Sequence, residues 1–600
     1  MKRPVAITLI VLAVVVFLAA IAGLFLYALF RLEPRAGFET PGILAIDLDG
    51  LIVERAPEDF FVAGIEGARY ELLDLALALD RAAEDERIAG VYLRIGAPEM
   101  GWAKAEEIRR RLLAFRESGK FVYAYTPFTD ELGYYVALAA DRIWVLPDAG
   151  LELNGFRVET PFIARLLDKV GLEPQIEAVG VYKTAADILA RENMSDPDRE
   201  VSTALLEERY RRFVDAVVAA RRTDRARFTS ALDQGIYLAR DVRALGLVDG
   251  EAHEAEVQRA AVARALEVEP GEVATGEAGF HLIDAADYAA HLPDPDEDPQ
   301  GDVALVYAVG AIVMGEGGYD PLFGRVMGSA SMVETLYEVA QNDDIEAVVL
   351  RVESPGGDAL ASEEIWAAVE ALGERVPVVV SMGDVAGSGG YYIAAGADAI
   401  VAEPSTLTGS IGVLGVLFDA TELYAKLGIT WDLVKTNPAA DFPTSTRPLT
   451  PEERGTFRLL VEDLYRSFVQ RVAEGRGRPV PEIERVAQGR VWSGAQADEV
   501  GLVDTTGGLE TALALAKEHA GIDPDARVRL HVYPREPTWV ERVRELLRLR
   551  GVERADLDVR HRVAHALVRE LGSALTGVGA VLRGGPGRPL AVMPYVPSIR

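Results

Sequence analysis

Two glycine-containing turns carry the residue types and spacing that suit acyl-transfer chemistry. The first, Glu353-Ser-Pro-Gly-Gly-Asp358, directly follows an apolar β-type run at 348–352. Pro355 stiffens the turn, and Gly356 and Gly357 let backbone N–H groups come close to a ligand. The second, Gly383-Asp-Val-Ala-Gly-Ser-Gly-Gly-Tyr-Tyr392, follows a run at 376–382 and places Ser388 among glycines where a helix is expected to begin. A serine there has an unencumbered hydroxyl, and the next N–H, of Gly389, points into the same space with the helix dipole behind it. Together the two turns offer a nucleophile and an oxyanion hole. Taken alone, a Gly-Ser-Gly-Gly turn is an ordinary tight loop; the pairing of the turns is what points to chemistry. Phosphate binding is disfavoured, because no Gly-Lys-Ser/Thr follows either turn.

Such a serine needs a base. All seven histidines lie outside residues 345–415 and none sits in a strand-end turn, which disfavours a Ser-His-Asp arrangement. Lysine is scarce, with arginine carrying most of the positive charge. Lys183 ends a strand-like stretch, Ile176-Glu-Ala-Val-Gly-Val-Tyr-Lys183, with Val179, Val181 and Tyr182 available as an apolar wall. To serve at neutral pH its pKa must fall from about 10.4 to about 7–8, a shift that desolvation can produce. A lone lysine after a strand is ordinarily a surface residue, so Lys183 needs independent support.

The elements that must position these residues form an α/β pattern. β-Branched runs at 303–309, 347–352, 376–382 and 399–403 are separated by helical patterns such as 359–372, which predicts βαβ units around a buried, largely parallel sheet. The pattern occurs twice. Val91-Tyr-Leu-Arg-Ile95 matches Val348-Val-Leu-Arg-Val352, and Gly133-Tyr-Tyr135 matches Gly390-Tyr-Tyr392, both at an offset of 257 residues. Gly246-Leu-Val-Asp249 and Gly501-Leu-Val-Asp504 follow at 255. The expected organisation is an N-terminal anchor (1–40), a first α/β repeat (41–292), an acidic proline-rich linker (293–301), a second repeat (302–521) and a C-terminal extension (522–600).

Composition narrows the partners. Net charge is −32, with 62 basic against 94 acidic residues, which repels nucleic-acid backbones. The absence of cysteine excludes disulfides, thiolate metal sites and a cysteine nucleophile. Residues 5–30 are uncharged and mostly apolar, longer than the roughly 20 residues a spanning helix needs. The flanking charges favour the N-terminus inside and the bulk of the chain extracytoplasmic. A cleaved signal peptide is the competing reading, because Ala20-Ile21-Ala22 has a small-x-small pattern.

Val181-Tyr-Lys-Thr-Ala185, Arg191-Glu-Asn-Met-Ser195, Ser354-Pro-Gly-Gly357, Ser388-Gly-Gly-Tyr391 and Pro404-Ser-Thr-Leu-Thr-Gly-Ser-Ile-Gly412 occur in that order. The chain thereby resembles the long, duplicated form of signal peptide peptidase A, also called protease IV, over roughly residues 40–520. The resemblance implies tandem Clp protease/crotonase-like domains behind a transmembrane helix, and a serine endopeptidase acting on remnant signal peptides at the inner membrane. It implies Ser388 as nucleophile, Lys183 as base, Ser410 orienting the lysine, and Gly389 with Gly356 or Gly357 as oxyanion donors. It implies neither metal nor cofactor, and a membrane-attached homotetramer.

The repeat bears on this assignment. At the 257-residue offset Ser388 corresponds to Glu131, and Gly356 and Gly357 to Glu99 and Met100, so the first half lacks the nucleophile and the glycine turn. An ungapped match sets Lys183 against Asn437; a small gap sets it against Lys435, the rival base. Two other functions fit the same fold: a non-proteolytic membrane scaffold, and acyl-CoA chemistry using carboxylates such as Glu131 and Glu99. The arginine-rich end has amphipathic stretches at 539–549 and 563–571, and its apolar terminus, 589–600, resembles an extended peptide able to enter a substrate groove.

Overall fold

The computed structural model of the protein describes residues 38–56, 67–274, 276–290, 299–320, 324–535 and 590–592. The apolar run at 5–30, most of the acidic linker and the amphipathic stretches at 539–549 and 563–571 lie outside the described residues. Among the described residues no helix is long and apolar enough to cross a membrane.

In the first half, β1 (Gly42–Val53), β2 (Ile88–Glu99), β3 (Phe121–Asp130) and β4 (Arg142–Glu152) form the body of a parallel sheet. Helix α1 (Trp102–Glu117) links β2 to β3, and the short α2 (Glu131–Ala137) links β3 to β4. Strand β5 (Glu173–Val179) then leaves this sheet, followed by α3 (Asp196–Arg221).

The second half repeats the scheme. Strands β6 (Asp302–Val309) and β7 (Ala347–Ser354) lead through the short β8 (Gly356–Asp358) into α4 (Ala359–Gly373). Strand β9 (Val378–Gly387), helix α5 (Gly389–Ala394), and strands β10 (Ala399–Ala402), β11 (Leu407–Gly409) and β12 (Val413–Asp419) follow. Strands β6, β7, β9, β10 and β11 belong to a second sheet, with parallel pairing between them. β7 is buried along nearly its whole length and apolar from Ala347 to Leu350, because both of its faces are covered, as in parallel strands under helices. Strand β13 (Arg529–Tyr533), from the segment expected to be an extension, adds to this sheet beside β6.

A third sheet joins the halves. β5 pairs antiparallel with β12 over seven residues, from Val413 opposite Val179 to Asp419 opposite Glu173. The strand β14 (Leu590–Val592) lies between β12 and β8, antiparallel to both. A strand of the first half thus completes a sheet of the second.

Two sequence expectations change in detail. The run predicted at 376–382 continues to Gly387, because after β10 ends, residues 385–387 pair with β11 instead. The strand expected to run through Lys183 stops at Val179, where Gly180 turns the chain at a φ of 108°.

The duplication extends to buried hydrogen bonds. Tyr134 Oη donates to the Leu247 carbonyl at 2.7 Å, and Tyr391 Oη donates to the Leu502 carbonyl at 2.7 Å. Asp249 accepts from the Ile143 N–H, and Asp504 accepts from the Ile400 N–H, both at 2.8 Å. Both tyrosines are fully buried, so Tyr134→Phe or Tyr391→Phe leaves a carbonyl without its partner. Each substitution is expected to lower stability by about 1–3 kcal/mol in urea unfolding.

Candidate active site

Ser388 is set by the end of β9 and the start of α5. It adopts φ 54° and ψ −114°, a sparsely populated conformation that costs a non-glycine residue about 1–3 kcal/mol. The surroundings hold it there: its N–H donates to the Gly409 carbonyl at 2.8 Å, and its own carbonyl accepts from the Tyr392 N–H at 2.8 Å. This sharp strand-to-helix turn leaves the hydroxyl of a fully buried serine aimed away from its own backbone. Gly389 opens α5, so its N–H has no carbonyl one turn back within the helix.

The first glycine turn meets the second. A Cβ on Gly389 would stand 3.1 Å from Gly356 Cα and 3.1 Å from Gly357 N, and 2.6 Å from Ser362 Oγ. Only glycine allows the turns this approach. Gly356 has φ 96°, and its N–H donates to Ser354 Oγ at 3.2 Å. The backbones of Gly389 and of the Gly356-Gly357 turn therefore pack against each other directly beside Ser388.

Lys183 reaches this region from the first half. The β5–β12 pairing delivers the chain, and the turn after β5 is bracketed by residues 488–490. The Tyr182 N–H donates to the Gln488 carbonyl at 2.8 Å, and the Ser410 N–H donates to the Arg490 carbonyl at 2.7 Å. A Cβ on Gly489 would lie 2.5 Å from Lys183 N, so this backbone packs directly on the lysine. The Arg490 guanidinium sits over the rings of Tyr182 and Trp492 and pairs with Glu200 at 2.6 Å. Sequence reasoning missed this bracket; Gly489, in an otherwise unremarkable stretch, is the one local signal of close approach.

Lys183 Nζ lies 2.7 Å from Ser388 Oγ, 3.0 Å from the Ser410 carbonyl oxygen and 3.1 Å from Ser410 Oγ. The side chain is buried, and that desolvation drives its pKa well below the ordinary lysine value. A neutral amine has two N–H donors and one lone pair. The two Ser410 oxygens can take the donors, which leaves the lone pair facing the Ser388 hydroxyl. Such an amine can accept the serine proton, and Ser410 fixes its direction. Ser410 itself is fully buried with φ 50°.

The other sequence candidates lie elsewhere. Lys435 Nζ donates to the Pro438 carbonyl and to Asp441 Oδ1, both at 2.8 Å, in an exposed loop. Glu131 occupies the first half's counterpart of the Ser388 turn: Asp130 opposes Glu152 across β3 and β4, as Gly387 opposes Gly409 across β9 and β11. Its carboxylate accepts the Asn154 N–H at 2.6 Å and the Gly155 N–H at 2.8 Å. Burial pushes its pKa up to about 7. It is thus committed to backbone partners. Among the described residues no group of histidines and carboxylates could hold a metal ion.

Residues 114–268 and 370–523 match the family described as Peptidase family S49, one segment in each half. The chain is 36% identical over 458 residues to the chloroplastic serine protease SPPA of Arabidopsis thaliana, covering 75% of this chain and 66% of that protein. It is 33% identical over 524 residues to Protease 4 of Salmonella typhi, covering 84% and 82%. Among solved structures, a ClpP1 mutant from Listeria monocytogenes aligns over 35% of this chain and 93% of its own, with a TM-score of 0.23 and 14% identity. The family match and the two curated relatives define a serine-type peptidase. The chain belongs to peptidase family S49, in the long signal peptide peptidase A form that carries the family domain twice.

The contact between the glycine turns yields a direct test. Gly389→Ala should force the turns apart and lower kcat by about 10²-fold, the scale of losing one oxyanion donor. Steady-state kinetics beside a thermal melt that stays near wild type would separate this from unfolding.

Proposed function

We propose that this chain is a membrane-anchored serine endopeptidase that cleaves apolar peptides, remnant signal peptides among them, through a Ser388/Lys183 dyad. The observation that carries the reading is the 2.7 Å approach of a buried lysine amine to a buried serine hydroxyl, with desolvation alone governing the amine. Ser388 Oγ attacks the peptide carbonyl while its proton passes to Lys183 Nζ. The oxyanion is met by the N–H of Gly389 and by the Gly356-Gly357 turn. Lys183 then protonates the leaving amine, and the acyl group remains on Ser388. Water, deprotonated by Lys183, releases the acid and restores the serine.

Strand addition supports an extended peptide as substrate. Between β8 and β12 the structure accommodates a strand antiparallel to both, the position taken by Leu590–Val592 of the same chain. Main-chain pairing of this kind gives affinity with little demand on side-chain identity, which suits a degradative role. The apolar N-terminal run would hold the body against the extracytoplasmic face of the inner membrane, near peptides left there after secretion. Assembly as a homotetramer belongs to the same reading, as does catalysis without a cofactor.

The test is hydrolysis of an apolar peptide ester by the full chain in detergent. Ser388→Ala and Lys183→Met are each expected to lower kcat/KM by on the order of 10³-fold or more. If Lys183→Met keeps full activity, the dyad fails. The pH profile carries a sign: the base must be unprotonated, so activity falls as pH drops through the lowered pKa of Lys183. That acidic limb should stand well below the ordinary lysine value of 10.5.

A further inference from the structure

The backbone ladder that should hold the two glycine turns together is broken. β7 and β9 pair in register from Val348 opposite Val378 to Val352 opposite Met382; the next pair is Ser354 opposite Ala386. Two residues advance on β7 while four advance on β9, so β9 bulges over Gly383, Asp384 and Val385. The break falls immediately before both turns: Glu353 precedes Ser354 and the oxyanion glycines, and Asp384 lies four residues before Ser388.

A side chain of the first half spans this break. Lys104, in the first turn of α1, is buried, with Nζ 2.5 Å from Asp384 Oδ2, 3.1 Å from Glu353 Oε2 and 3.3 Å from Glu54 Oε1. Glu353 Oε2 also accepts the Asp384 N–H at 2.7 Å. Asp384 in turn accepts the N–H groups of Gly101 and Lys104, both at 3.1 Å, capping α1. One ammonium therefore holds a carboxylate from each turn and locks both to a helix of the other half. Glu54 is anchored from behind by Arg351, whose Nε and Nη2 donate to it at 2.9 Å, and Arg351 Nη2 also reaches Glu107 at 3.1 Å.

This lysine is the electrostatic opposite of Lys183. Burial works against its charge, but Asp384, Glu353 and Glu54 outweigh burial and hold its pKa above the ordinary lysine value. It stays an ammonium, unsuited to be a base and suited to be a clamp. Four carboxylates (Glu54, Glu107, Glu353 and Asp384) meet Lys104 and Arg351 here, with Arg111 3.9 Å from Glu107, and burial pushes Glu353 up to about 7.

We propose that Lys104 is a positioning residue for the peptidase reaction: its ammonium sets the distance between the oxyanion turn and the nucleophile turn across the broken ladder. The inference rests on Ser388 being the nucleophile. The clamp gives the first half a second task beside delivering Lys183, and makes the geometry of the oxyanion hole depend on the docking of the two halves.

The experiment uses the full chain, an apolar peptide ester and thermal melts. Lys104→Met should lower kcat by about 10²-fold with KM within about twofold, since a small misplacement of reacting groups costs rate rather than ground-state binding. Removing one member of a buried ionic cluster also destabilises a fold. The double variant Lys104→Met/Glu353→Gln removes one charge of each sign, and should regain melting temperature while kcat stays low. Arg111→Met is the control: Arg111 crosses the same junction to Glu510 at 3.4 Å and approaches the cluster only at Glu107, 3.9 Å away, without touching either turn, so its loss should lower the melting temperature and leave kcat unchanged. A kcat within about threefold of wild type in Lys104→Met, or a kcat that recovers with stability in the double variant, overturns the proposal. Hydrolysis that survives Ser388→Ala is a separate failure, of the nucleophile assignment beneath it.

Discussion

An amine enclosed by protein with no carboxylate to balance it favours the neutral form, because the charged form has lost its hydration and gained nothing in return. Lys183 is in that position, and much of the architecture around the site serves to keep it there. The enclosure comes from two separate stretches, residues 410–412 and the turn at Gly489. Ser410 supplies oxygens for the amine's own hydrogens, Gly412 lies against its methylenes, and Gly489 packs on its backbone. The β5–β12 pairing holds all of this in register with Ser388. Any opening to water would restore the proton to the amine and remove its lone pair from the serine.

The duplicated chain divides labour accordingly. The first half keeps the buried hydrogen-bonding skeleton of the repeat, as Tyr134 and Asp249 attest, but the turn that would carry a nucleophile holds Glu131. There the carboxylate binds the backbone N–H groups of Asn154 and Gly155, so the turn is stabilised with a charge acceptor instead of being left open. What the first half retains is delivery: a strand that crosses to the other sheet, and a helix whose first turn meets the second half's broken ladder. The junction is accordingly ionic as well as apolar. Arg351 with Glu54 and Glu107, and Arg110 with Glu403, cross it. Paired buried charges demand specific geometry, so such a junction specifies one docking more strictly than apolar contact would.

Local signals made part of this legible. Runs of β-branched residues marked the strands; glycines flanking Ser388 marked a turn after a strand; and the offsets of 257 and 255 residues marked the duplication. Each depends on neighbours in sequence, through side-chain periodicity and backbone permissiveness. The boundaries were less legible. β9 outruns its apolar stretch because pairing with β11, not composition, keeps residues 385–387 extended. β5 stops before Lys183 because the chain turns at Gly180 to meet residues 488–490.

By itself, then, the sequence determined an α/β fold made twice, and a serine poised at a strand end. It also pointed to Lys183 as the base, with Lys435 as its rival. What sets the charge state of each lysine was a tertiary matter. Only the structure shows Lys183 enclosed without a counterion, Lys104 enclosed among three carboxylates, and Lys435 paired with Asp441 in an exposed loop. Desolvation and Coulomb energy are set by what surrounds a group in space, and those surroundings come from segments hundreds of residues away.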